Sequence, residues 1–200
     1  MTPSPRQLKR IAFHEAGHAV IGCLVGIPFT TVRLTPDNRV RDSQGMIKLG
    51  SVKLKPVPDW VLPLNWSTNE DRKRARNYLK NNICMTLAGP LAETLHTGCW
   101  QQETRGEGND ETLAMLAGEV AREWGVYLHW TPKDSQNWVN RLRFQILEIL
   151  HDPRVWAAVA LVARELVKHG TLRAKDVYPL VNQAVPRAPA VLRRKSLKGS

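Results

Sequence analysis

Apolar and small residues at Leu8, Ile11, Ala12, Ala19, Gly22 and Cys23 recur at helical spacing near the start of the chain. Ser4 caps this helix, Pro5 suits its first turn, and Gln7 completes a capping box, while Gly26 and Pro28 stop it. Phe29 to Leu34 is rich in β-branched residues and predicts a strand, turned by Thr35-Pro36-Asp37-Asn38, with Gly45 to Leu49 as its hairpin partner. Pro56, Pro58 and Pro63, interleaved with Trp60 and Trp66, predict an ordered loop over 55–66. Ser67-Thr68-Asn69-Glu70 reads as a second capping box, opening a long helix that ends at His96-Thr97-Gly98, with a break or kink at Pro90. A third helix begins at Asn109-Asp110-Glu111 and runs to Trp124-Gly125. A fourth begins at Thr131-Pro132, a fifth runs from Asp152-Pro153 to His169-Gly170, and a short sixth covers Ala174 to Ala184. The predicted fold class is mainly α with a small β-sheet or hairpin.

Composition narrows the class without naming a chemistry. Two hundred residues with 42% hydrophobic content suit one domain with a real core. The apolar run from Ala19 to Ile27 falls far short of the roughly 20 residues of a membrane span, and the N-terminus does not read as a signal peptide. Cys23, Cys84 and Cys99 are odd in number and scattered, which predicts small buried thiols in a reducing compartment, hence the cytoplasm. The net charge of +11 points to anionic partners, but its placement matters more. Arg187, Arg193, Arg194, Lys195 and Lys198 lie in a stretch with no acid and no apolar period. The expected organisation is a domain over 1–185 and a disordered basic tail over 186–200. Arg72-Lys73-Arg74-Ala75-Arg76 reads as a solvated helix face, since no aromatic ladder or recognition motif accompanies it. No phosphate-binding G-x-x-x-x-G-K-[ST] loop occurs in the sequence.

The sharp chemical signal is His14-Glu15-Ala16-Gly17-His18. On a helix, residues four apart project from one face, so His14 and His18 suit joint ligation of one Zn2+, with Glu15 beside them as a base for water. Gly17 costs about 1 kcal/mol against alanine in a helix, so its presence predicts close approach by another backbone. A catalytic zinc site needs a third ligand. The extension H-E-x-x-H-x-x-G-x-x-H fails, because Ile21 and Leu24 occupy the Gly and His positions. Glu93 and Asp110 both qualify, and residue chemistry leaves the two open.

Several motifs in order resemble the zinc peptidase domain of the FtsH-type AAA+ proteases. His14 to Val20 matches the family's zinc helix, and Val32-Arg33-Leu34-Thr35-Pro36 with Gly45 is similar to its V-T-I-x-P strand and following glycine. Ile83 to Glu93 resembles its I-x-V-x-L-A-G-R-A-A-E helix, with Pro90 in place of the arginine. Gly106-Glu107-Gly108-Asn109-Asp110 resembles its G-A-S-N-D segment, and Leu166 to Leu172 its closing L-x-x-x-x-T-L element. The resemblance spans roughly residues 7–184. It implies a zincin-type helical peptidase domain in which His14, His18 and Asp110 hold Zn2+ and Glu15 is the catalytic base. Glu93 then falls to packing or to orienting a ligand histidine.

The resulting expectation is a zinc metalloendopeptidase acting on unfolded or flexible proteins, with no ATPase motor in this chain. Its implied partners are a protein or peptide substrate and a separate ATPase or further copies of itself. The strand from Thr31 to Leu34 is expected to offer an edge for an extended substrate. Two rival functions stay open: a catalytically silent metal-binding adaptor of the same fold, and a basic nucleic-acid-associated protein. His96, His129, His151 and His169 lack ligand spacing, and Trp60 and Trp66 read as packing residues.

Overall fold

A computed structural model describes residues 3–35, 50–98, 109–125 and 129–186. The described chain runs α1 (Pro5–Val25), β1 (Phe29–Leu34), β2 (Gly50–Leu54), α2 (Asn69–Thr97), α3 (Asn109–Glu123), α4 (Pro132–Leu150), α5 (Pro153–His169), β3 (Thr171–Arg173) and α6 (Ala174–Ala184). Two 3-10 turns, Asp59–Val61 and Pro63–Asn65, give the proline-rich segment its order. The fold is mainly α with a small antiparallel sheet, as its periodicity predicts.

Capping sets most of the helix ends. Ser4 accepts from the Gln7 N–H, and Gly26 closes α1 in the left-handed conformation with φ 78°. Thr131 and Asp134 form a reciprocal box on α4, Asp152 caps α5, and Gly170 ends it with φ 68°. At α2 the box sits one residue later than the sequence suggests. Thr68 is the cap and Asp71 its partner, because one Asp71 oxygen accepts from the backbone N–H groups of both Ser67 (3.1 Å) and Thr68 (2.8 Å).

The expected break at Pro90 is absent: α2 is one uninterrupted helix. Proline removes a helical hydrogen bond at a cost of about 3 kcal/mol. Leu87 and Ala88 before it, and Leu91 and Ala92 after it, are buried in the same core, which keeps the helix continuous across the proline.

Helix α1 is the axis of the molecule. Every residue from Ile11 to Gly22 is buried, so the amphipathic stripe of the sequence belongs to a helix covered on all sides. α2, α5, α6 and the sheet surround it. Gly17 lets α2 come close: a Cβ there would lie 2.5 Å from the Ala88 carbonyl oxygen and 2.6 Å from Ala92 Cβ. The basic run at the start of α2 is partly engaged, with Lys73 paired to Glu70 and the Arg74 guanidinium 4.0 Å from the Trp60 ring centre. Phe13 stacks on His96 at 3.7 Å, which gives that histidine a packing role.

The sheet has the order β2-β1-β3, with both pairings antiparallel. Val32 faces Val52 on one side and Leu172 on the other. Both edges of β1 are therefore taken, and it offers no edge to a substrate. The strand β3 was not legible in the sequence, and β2 begins at Gly50. The expected partner over 45–49 lies outside the described residues, as do Cys99 and the basic tail beyond Pro186. Cys84 is buried, and burial pushes the half-buried Cys23 thiol up to about 12, so both suit an inert thiol role. Among the described residues no helix is long and apolar enough to cross a membrane.

Gly17→Ala is expected to lower unfolding free energy by about 1–3 kcal/mol in urea titrations, since neither a backbone carbonyl nor an alanine Cβ can turn aside. Gly22→Ala meets the flexible Met85 thioether at 3.0 Å and is expected to change stability by less than about 1 kcal/mol.

Candidate metal centre

His14, Glu15 and His18 are 5%, 6% and 8% exposed, unusual burial for three polar side chains on one helix. Their surroundings explain it. His18 Nδ1 lies 2.8 Å from the Met85 carbonyl oxygen, which can only accept, so Nδ1 carries the proton and donates. His14 Nδ1 lies 2.9 Å from Glu93 Oε2 and donates likewise. These bonds leave each neutral ring with its lone pair on Nε2. The two Nε2 atoms stand 3.1 Å apart, with the rings edge to face at 78°.

Asp110, in the first turn of α3, completes the convergence. One of its oxygens lies 2.9 Å from His14 Nε2 and 3.2 Å from His18 Nε2. Two imidazole nitrogens and a carboxylate oxygen therefore meet in one small volume, a donor set that suits a metal such as zinc. Zinc–ligand bonds of about 2.0–2.1 Å at tetrahedral angles separate donors by about 3.3 Å, close to the 2.9–3.2 Å spacings here. The residues fit the metal.

Glu93 lies on the far side of His14, at Nδ1, and so does not share the space where the Nε2 atoms converge. Its other oxygen forms an ion pair with Arg10 Nε at 3.1 Å. Glu15 turns to the sheet, against Gly50 at the start of β2. A Cβ on Gly50 would overlap the Glu15 carboxylate, and a Cβ on Gly89 would overlap the His18 ring. Each glycine makes room for one functional side chain.

The charges are mutually dependent. Burial opposes protonation of His14, but hydrogen bonds to Asp110 and Glu93 and the charge of Glu15 outweigh it and hold its pKa well above the usual imidazole value. Burial likewise opposes a charge on His18, and the Asp110 carboxylate reverses the balance. Burial would raise the Asp110 pKa, yet the two histidines hold it below the ordinary carboxylate range. A metal bound there would compete with protons for the Nε2 positions, so binding is coupled to proton release.

Helix α3 reaches the centre on small residues. Ala114, Gly118 and Ala121 face inward, and a Cβ on Gly118 would lie 2.8 Å from a Val139 methyl on α4. The Ser135 hydroxyl of α4, buried at 1%, donates to Glu119 and so ties the two helices together.

Sequence reasoning missed Arg10, the Met85 carbonyl, Gly50 and Gly89. Arg10 precedes His14 by one helical turn, a signal open to reading. Gly89 lies inside a helix, where its cost marks it. The Met85 carbonyl carries no side-chain signature.

The centre defines a class: a buried site of two histidines and one carboxylate with a second carboxylate alongside. No family model matches the chain. Over 131 residues it is 27% identical to the ATP-dependent zinc metalloprotease FtsH 3 of Synechocystis, a stretch covering 62% of this chain. The matched stretch is 18% of the length of that relative. The chain is thus distantly similar to a zinc metalloprotease.

Gly89→Ala is expected to push the His18 ring off the shared position. Zinc retained after dialysis, read by atomic emission, is expected to fall by 10-fold or more, while Gly22→Ala retains it as the wild type does.

Proposed function

We propose that this chain is a zinc-dependent metalloendopeptidase that hydrolyses peptide bonds in unfolded or flexible proteins. The observation that carries this reading is the convergence of His14 Nε2, His18 Nε2 and an Asp110 oxygen, with the Glu15 carboxylate on the same buried helix. In this reading those three residues hold the metal. Zinc bound there supplies Lewis acidity, which acidifies water and polarises a peptide carbonyl. The Glu15 carboxylate takes the proton of the attacking water and passes it to the departing amine nitrogen. Met85 and Glu93 hold the two rings in the tautomer that presents Nε2.

Substrate docking moves from β1, where the sequence placed it, to the outer edge of β2. Among the described residues no strand pairs with that edge, and β2 begins at Gly50 beside Glu15. An extended chain added there bonds through its backbone, so selection by side chain is weak. Val57, Leu62 and Leu64 are exposed in the following segment, with Leu64 at 96%, and favour apolar stretches such as an unfolded chain presents.

The wider assignments belong to the same proposal. They are a peptidase domain over 1–185 with a basic tail over 186–200, a cytoplasmic setting, and protein or peptide as substrate. A separate ATPase or self-association supplies the remaining partners. Nucleic acid is a less favoured partner, since the basic run on α2 is partly engaged with Glu70 and Trp60.

Metal-loaded protein is expected to cleave casein and to stop when a chelator is added. Glu15→Gln is expected to keep its zinc and lose 100-fold or more in rate. Cleavage by Glu15→Gln at the wild-type rate would overturn the mechanism, and zinc binding without any cleavage by the wild type would favour the adaptor.

The sequence contains no phosphate loop. The purified chain is therefore expected to degrade unfolded casein, spare a stably folded protein and ignore ATP, as read on gels over a time course. ATP-stimulated loss of the folded substrate would refute this.

A further inference from the structure

The two histidines of the centre are held in unequal ways. His18 is fixed by the Met85 carbonyl, a backbone group within a helix that cannot rotate. His14 is fixed by a glutamate side chain, which has three torsions of its own. A ring held by a movable group gains order only if that group is itself held.

Arg10 supplies the second hold. It lies one turn before His14 on α1, so both side chains reach the same patch of α2. Arg10 Nε is 3.1 Å from Glu93 Oε1, while His14 Nδ1 is 2.9 Å from Glu93 Oε2. One carboxylate, 6% exposed, is gripped by both oxygens from a single helix. An ion pair from Arg10 and a hydrogen bond from His14, both from one helix, restrain that carboxylate from two sides. The guanidinium also brings a positive charge to a region holding Glu15, Glu93 and Asp110.

We propose that Arg10 is a positioning residue of the metal centre. It fixes the Glu93 carboxylate, which holds the His14 ring with Nε2 directed at His18 and Asp110. The proposal rests on reading the three converging residues as a zinc centre. In this proposal Arg10 acts on the metal through Glu93, which makes a distinctive prediction: once Glu93 can no longer act, losing Arg10 costs no further zinc affinity.

Zinc affinity in the full chain, measured by competition with a chromophoric chelator, tests this on wild type, Arg10→Met, Glu93→Gln and the double variant. Each single variant is expected to bind zinc 10- to 100-fold more weakly. The double variant is expected to be no weaker than Glu93→Gln alone. The visible absorption of the cobalt-substituted protein is expected to change in the same sense in both single variants. Wild-type affinity in Arg10→Met, or losses that add in the double variant, overturns the proposal. Melting of the metal-free proteins, followed by circular dichroism, shows whether each variant folds. Should Arg10→Met not fold, Arg10→Lys, which keeps the charge without the planar fork, enters the same cycle with the same two outcomes. Asp110→Ala separates the two levels: undiminished zinc binding in it would sink the metal-centre reading itself, whatever Arg10 does.

Discussion

The approach of α1 to α2 governs the distances on which the centre depends. Gly17 has no side chain, so the α1 backbone comes within reach of the Ala88 carbonyl and the Ala92 methyl. The same crossing brings the Met85 carbonyl to His18 and Glu93 to His14, at 2.8 and 2.9 Å. A separation wider by one methyl group would break both bonds, and each ring would lose the contact that fixes its tautomer. Gly89 works in the opposite sense across this seam, keeping a space open for the His18 ring. Close packing and an open pocket for an imidazole meet along one helix face.

Much of this was legible in the sequence. Ser4, Thr131, Asp152, Gly26 and Gly170 mark helix ends because capping is local chemistry, decided within a few residues. Phe29 to Leu34 reads as a strand for the same reason. Non-local features stayed hidden. Three residues at 171–173 are too few to show a period, so neither β3 nor the central place of β1 was visible. Ile47-Lys48-Leu49 and Val52-Lys53-Leu54 carry the same alternation, and pattern alone cannot choose between them. Pro90 misled because local propensity yields to burial on both sides. The histidine pair with its glutamate stood out because helical spacing puts all the information in five residues. Arg10, Gly50 and the Met85 carbonyl act through contacts between elements, beyond the reach of spacing.

Support for the centre is unevenly distributed. His14, Glu15 and His18 stand on a helix covered on every side. Asp110 arrives on α3, whose fully buried residues among those described are Ala114, Gly118 and Ala121, with Met115 and Ala117 partly buried and Leu113 and Leu116 left exposed. Alanine burial contributes little compared with leucine, so α3 relies more heavily on the Ser135–Glu119 tie and on its carboxylate contacts with the two histidines. One side of the donor set is rigid scaffold, and the other is held in part by the chemistry of the centre itself.

The position of β1 also orders events in time. Its partner β3 lies about 140 residues further along the chain, with Thr31 opposite Arg173. A ribosome must release nearly the whole of the described sequence before that pairing can form. The converging cluster of His14, His18 and Asp110 ends at residue 110, so all three leave the exit tunnel while β1 has β2 beside it but still lacks β3. Loop closure over such a span is slow compared with forming a helix. The nascent chain therefore passes through an interval in which its ligands are present and one flank of β1 is bare, exposed to capture by any other extended segment.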